Sequence, residues 1–180
     1  SYNISGIERM PCCMIKVLHI GEYVQGGVAT YIKTLIVRDQ ECGIDNYLLM
    51  SEEKSEHDWN FPVGKIAYYA YHRSVLSLLP AMRAIQEHVR RIDPDIVFLH
   101  SSWAGMLARV PFFFGNRRPR VIYNPHGWSF LMDVPMWKKR IYSLIERILA
   151  KKTDIIINVS KYEYDCGIRY GMPQKKMKIL

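Results

Sequence analysis

The 180 residues carry a formal net charge of +8, with 49% hydrophobic and 23% charged side chains. That balance fits one packed globular domain and excludes disordered, collagen-like and coiled-coil chains. No run approaches the roughly 18 consecutive apolar residues of a membrane-spanning helix, and residues 1–13 lack the basic-then-apolar plan of a secretory signal and read as an N-terminal extension.

Residues 14–20 (MIKVLHI) form an apolar, β-branched run that predicts a strand. Residues 21–27 follow as a loop ending in the pair Gly26-Gly27. Val28, Tyr31, Ile32, Leu35 and Ile36 then keep the spacing of an amphipathic helix. A second strand is expected at 46–50, a polar loop at 51–60 and a shorter strand at 65–71. Leu78, Leu79, Met82, Ile85, Val89 and Ile92 predict a helix in which Pro80 is tolerable only near the first turn. Strands follow at 95–100, 121–124 and 155–159. Helices are expected within 101–114, over 137–149 with its basic residues facing outward, and over 161–169. Strands alternate with helices and are continuous apolar runs. This predicts an α/β fold, a Rossmann-like doubly wound parallel sheet with helices on both faces, over residues 14–180.

The positive charge is localised. Residues 109–152 hold ten basic side chains against Asp133 and Glu146, and they include Phe112-Phe113-Phe114 and Trp137. Basic and bulky apolar residues together suit an anionic membrane surface. No nucleic-acid-binding motif is present, so nucleic acid is not expected as a partner. The four cysteines (Cys12, Cys13, Cys42, Cys166) have no C-x-x-C spacing, and the histidines no H-E-x-x-H spacing. Free thiols in a reducing cytosol, and no metal site, are expected.

In a doubly wound sheet ligands bind beyond the carboxyl ends of the strands. Those positions hold Gly26 and Gly27, then Glu52 and Glu53, then Ser101, Ser102 and Trp103, then His126 and Gly127, and then Ser160, Lys161 and Glu163. Polar residues thus gather on one rim and point to a single crevice. The glycine loop matches neither the G-x-G-x-x-G fingerprint nor a Walker loop. Two glycines opening a helix still expose backbone N–H groups to a phosphate or a sugar hydroxyl. His126 is expected to donate a hydrogen bond to a substrate hydroxyl or phosphate.

These pieces resemble the retaining glycosyltransferases of family 4, the sucrose-synthase-like group with the GT-B fold. The resemblance is carried by KVLHIGEYVQGGVATYIKTL, DIVFLHSSWAGMLAR, VIYNPHGWSF and IIINVSKYEYDCGIRYGMPQKKMKIL. It implies the N-terminal, acceptor-side half of such an enzyme, a domain-sized piece whose donor domain is not in this sequence. It further implies transfer from a nucleotide-sugar with retention of configuration to a glycan or lipid-linked acceptor, as in bacterial polysaccharide or glycoconjugate synthesis. No divalent metal or other cofactor is strictly required. By the same resemblance Gly26 and Gly27 place backbone near the donor diphosphate and acceptor, and His126, the expected catalytic residue, meets the transferred sugar. Ser160, Lys161 and Glu163 are supporting cleft residues. The expected location is cytoplasmic, at the inner face of the membrane. The rival readings are a nucleotide-sugar epimerase or other GT-B relative, and a non-enzymatic α/β binding domain.

Overall fold

The computed structural model describes residues 14–115 and 118–180. The expected extension at 1–13, with Cys12 and Cys13, and Arg117 of the basic segment lie outside them. Seven strands form one parallel sheet: β1 (Lys16–Gly21), β2 (Asp45–Ser51), β3 (Ile66–Tyr69), β4 (Ile96–His100), β5 (Arg120–Asn124), β6 (Ile155–Asn158) and β7 (Met177–Ile179), in the order β3-β2-β1-β4-β5-β6-β7. The helices are α1 (Gly27–Glu41), α2 (Val75–Ile92), α3 (Ser102–Arg109), α4 (Met136–Leu149) and α5 (Lys161–Arg169). The predicted architecture is observed. The strand at 65–71 shrinks to β3 behind a 3-10 turn, and β7 was not anticipated.

Successive strand residues point to opposite faces. Leu18, Ile20, Val97, Leu99, Val121 and Ile156 point to one face and join Ala81 and Ile85 of α2 and Ala104 and Leu107 of α3 in the main core. Leu48 and Met50 point to the other face and bury Ala29, Ile32 and Ile36 of α1. Helix α2 starts on a Ser74–Ser77 capping box. Pro80 is its sixth residue, one turn later than expected. Val75, Leu76 and Leu79 around it are exposed, so the carbonyl that the missing N–H leaves unpaired lies on a solvent-facing turn.

Two readings of the basic segment need correction. Arg109 is not a surface charge: it is fully buried, with its Nη2 donating to Glu146 Oε2 at 2.9 Å, its Nη1 to Thr153 Oγ1 at 3.1 Å and its Nε to the Gly105 carbonyl at 2.8 Å. Its guanidinium lies 3.9 Å from the Tyr123 ring centroid, and Tyr123 donates to the same carboxylate at 2.8 Å. Phe112 is likewise core, leaving Phe113 and Phe114 outside. Because Glu146 must face Arg109, the inward side of α4 is Tyr142, Glu146 and Leu149. Of the apolar positions at helical spacing, Trp137, Ile141, Leu144 and Ile148 therefore face solvent, beside exposed Arg140, Arg147 and Lys151, while Leu149 is buried.

Candidate functional site

The chain leaves β1 in one direction along the sheet, toward β2, and leaves β4 in the other, toward β5. Adjacent strands whose connections diverge open a crevice at their carboxyl ends. Gly21, His100 and Asn124 end β1, β4 and β5 in register there.

Gly26 caps α1 at φ 57, and Gly27 is the helix's first residue. A side chain built on Gly26 or Gly27 would meet nothing within 4 Å, so both present bare backbone to open space. The preceding loop is fixed from behind by the segment after β2. Val24 N–H donates to Ser55 Oγ at 3.0 Å, Tyr23 N–H to Ser51 Oγ at 2.9 Å, and Gly26 N–H to Glu56 Oε1 at 3.2 Å. Glu56 is held by Lys33 at 2.6 Å. Tyr31, one turn into α1, stands edge-on to His126 with ring centroids 5.0 Å apart. Helix α1 and His126 therefore wall the same crevice.

His126 has φ 47 and Gly127 φ 100, so the chain turns sharply through the left-handed region just after β5. Left-handed backbone costs a non-glycine residue about 1–3 kcal/mol. The His126 N–H donates to Asn124 Oδ1 at 3.1 Å, which holds the turn. Behind His126 lie two histidines that sit within the apolar strand segments KVLHI and DIVFLH. His100 Nδ1 sits 3.3 Å from His126 Nε2, and His19 Nδ1 sits 3.0 Å from His100 Nε2. Asn46 Oδ1 ends the line, 2.9 Å from His19 Nε2. Burial lowers the pKa of His19 and of His126 to about 4, and that of His100 well below the usual value. The signal was present in KVLHI and DIVFLH: a histidine inside a buried strand must find a partner.

The remaining expected residues divide. Ser101 (φ 108) caps α3 at the β4 end, its Oγ accepting from Ala104 N–H at 3.3 Å. Ser102 Oγ is 3.2 Å from Tyr123 Oη, and Trp103 is half-exposed beside Tyr71 and Arg73. Farther along the sheet, Ser160 Oγ accepts from Glu163 N–H at 3.2 Å, and Glu163 Oε2 accepts from Val159 N–H at 3.1 Å. Ser160 and Glu163 are thus engaged in capping α5, and Lys161 pairs with Asp165 at 2.8 Å on the surface. Glu53 pairs with His72 at 3.1 Å and lies beside Tyr23 of the loop before α1.

One group at the rim was missed. Glu22, buried just after β1, takes Arg73 Nε at 2.7 Å and Nη2 at 3.1 Å. Arg73 reaches it across the face of Tyr23, 4.5 Å from that ring centroid. Arg73, Trp103, Met106, Met132, Tyr142 and Ile145 line a pocket of about 330 Å³ between α3 and α4. Its walls are apolar except for Arg73, Ser102, Ser129 and Glu146.

The sequence profile described as Glycosyltransferase Family 4 matches residues 25–180. A 41.2 kDa protein of the cps region of Klebsiella pneumoniae is 37% identical over 169 residues, which are 92% of this chain and 46% of that protein. The chain therefore spans about half the length of that relative. The lipopolysaccharide outer core galactosyltransferase WaaB superimposes over 91% of this chain and 44% of its own, with TM-score 0.66 at 17% identity. UDP-N-acetylglucosamine 2-epimerase from Methanocaldococcus jannaschii does so over 92% and 45%, with TM-score 0.65 at 12% identity. Those two likenesses show a shared fold and do not separate a transferase from an epimerase.

Proposed function

Because the chain belongs to glycosyltransferase family 4 and folds as the N-terminal domain of a GT-B enzyme, we propose that it forms the acceptor-side wall of a sugar-transfer cleft. The sugar passes from a nucleotide-sugar, with retention of configuration, to a glycan or lipid-linked acceptor during polysaccharide synthesis. The relative from a cps region supports that setting. The observation that carries the reading is the switch-point crevice itself. The N-terminal backbone of α1, without side chains at Gly26 and Gly27 and with only the Gly26 N–H of that pair held by Glu56, opens onto the same space as His126. A helix N-terminus offers unpaired N–H groups and positive potential to phosphate oxygens. Preorganised donors of that kind are the usual large term in group transfer. The donor half of the cleft is supplied by the rest of the full-length protein, and no metal is needed in this half.

Two features support a lipid-linked acceptor at an anionic membrane. The apolar pocket beside Trp103 and Met106 adjoins the rim and suits a hydrophobic moiety. The outward stripe of α4, flanked by Arg140, Arg147 and Lys151, combines apolar and basic residues on one side of a helix. Such a face lies flat on an anionic interface. No helix among the described residues is long and apolar enough to cross a membrane. In this reading the basic and apolar face of α4 holds the domain peripherally on the cytoplasmic leaflet. The test is incubation of the full-length protein with UDP-sugars, with and without a lipid-linked glycan fraction. Acceptor-dependent transfer that persists in chelator supports the reading. Epimerised free nucleotide-sugar formed without acceptor overturns it in favour of the epimerase.

A further inference from the structure

Asn46, His19 and His100 are buried and lie on the adjacent strands β2, β1 and β4, all on the α1 side of the sheet. Their line ends at His126 in the crevice, with gaps of 2.9, 3.0 and 3.3 Å from the Asn46 end to the His126 end. The rings cannot turn freely. His19 stacks on Phe98 at 5.5 Å between centroids, Phe98 on His100 at 4.4 Å, and His100 on His126 at 5.6 Å.

A neutral imidazole carries one N–H and one bare nitrogen. Burial keeps all three rings neutral at physiological pH. Protons along the line are then fixed by its far end. Asn46 Oδ1 only accepts, so His19 Nε2 carries a proton and His19 Nδ1 is bare. His100 must donate from Nε2 into that bare nitrogen, which leaves His100 Nδ1 bare. His126 must then donate from Nε2, and its own Nδ1 is bare. Turning the Asn46 amide over would reverse every step. The environment opposes that turn. On the other side of the amide lies Asp39, whose carboxyl burial pushes up and the Asn46 amide pulls down. That side favours the Nδ2 donor over a second oxygen, and the Nδ2 there is buried with no hydrogen bond of its own. His126 Nδ1 has no protein partner either, and it is not among the buried unpaired atoms, so it keeps access to the crevice.

We propose that Asn46, His19 and His100 form a tautomer relay, positioning residues that hold His126 as the Nε2–H form and present its Nδ1 lone pair to a hydroxyl of the sugar substrate. The proposal rests on the crevice being the transfer site. It reverses the expected role of His126, which becomes an acceptor. A bare nitrogen welcomes an O–H and repels phosphate oxygens. His126 therefore selects a sugar hydroxyl, while the diphosphate falls to the N–H groups of α1. A ring held in one tautomer by a buried partner loses orders of magnitude in rate when that control is lost in other enzymes.

The test uses full-length protein with isotope-labelled histidine, because bare and protonated ring nitrogens give well-separated NMR signals. His126 should show a protonated Nε2 and a bare Nδ1 at neutral pH. His100→Phe keeps the ring stack but removes the acceptor of the His126 proton, and Asn46→Leu removes the terminal acceptor. In both, His126 should redistribute between tautomers. Turnover should fall by about tenfold or more, with the KM for nucleotide-sugar little changed. A wild-type His126 protonated at Nδ1, or one fixed in both variants, overturns the relay, and the wild-type spectrum decides alone if neither variant folds. Redistribution with unchanged turnover leaves the buried relay standing but overturns the substrate role of Nδ1 and with it the crevice reading.

Discussion

Acidification should unfold this domain in a pH window that belongs to its histidines. Burial holds the His19 pKa at about 4, against 6.5 for a free imidazole, with the Asn46 hydrogen bond opposing only part of the shift. The unfolded chain therefore binds a proton that the folded chain refuses. Stability is fully present above pH 6.5 and is lost as the pH falls toward 4. At about 1.4 kcal/mol per unit, His19 alone contributes a loss of about 3 kcal/mol between pH 7 and pH 4, of which about 2 kcal/mol is spent by pH 5. His100 and His126, both also lowered by burial, act in the same direction. The carboxyl groups of Asp154 and Glu56 are each held below the usual value by a basic partner. Urea unfolding of the 180-residue chain, followed by tryptophan fluorescence at half-unit steps, reads the effect directly. With a urea slope of roughly 2 kcal/mol/M, the midpoint should drop by about 1 M or more between pH 7 and pH 5. A midpoint flat across that interval would show that the three imidazoles are not buried neutral, and the proton bookkeeping of the relay would fail with it.

Other outcomes follow from the same geometry. Glu146→Gln or Arg109→Met should each cost about 3–5 kcal/mol by calorimetry, because either leaves a buried group unpaired, and the double replacement by apolar residues should recover much of that loss. In the full-length enzyme, His126→Ala should cut turnover by roughly 100-fold; near-normal turnover would remove it from the site. Gly27→Val should leave the melting temperature almost unchanged, since its Cβ meets nothing within 4 Å, while nucleotide-sugar turnover collapses. Anionic liposomes should sediment the chain at low salt and release it at high salt, and Trp137→Ser with Arg140→Glu and Arg147→Glu should abolish that binding; equal binding to neutral liposomes would contradict the assigned face of α4.

The sheet was legible because its strands are buried on both faces and so read as unbroken apolar runs. β7 was not, since MKI is three residues long with a lysine in the middle. Helical periodicity exposed the apolar stripe of α4 but could not say which side meets the core. That was decided by Arg109 and Glu146, 37 residues apart in sequence. The same pair shows why a run of charges does not read as surface by default. Topology could place Gly26, Gly27 and His126 on one rim, because strand-end positions beside a switch point are set by the fold, and the structure puts His126 against α1 there. Ser160 and Glu163 shared that rule, but their S-x-x-E spacing is equally the signature of a helix cap, and capping is what they do. That His19 and His100 each needed a partner was legible in KVLHI and DIVFLH, but which partners was not, because a chain of hydrogen bonds across three strands has no spacing in sequence.

The most direct test of the account is the product formed by the full-length protein from a UDP-sugar and a lipid-linked glycan. Transfer to the acceptor, with the anomeric configuration of the donor retained in the product by NMR and the rate cut by roughly 100-fold in His126→Ala, is the predicted result. A free nucleotide-sugar epimerised without acceptor, or a product of inverted configuration, would contradict it.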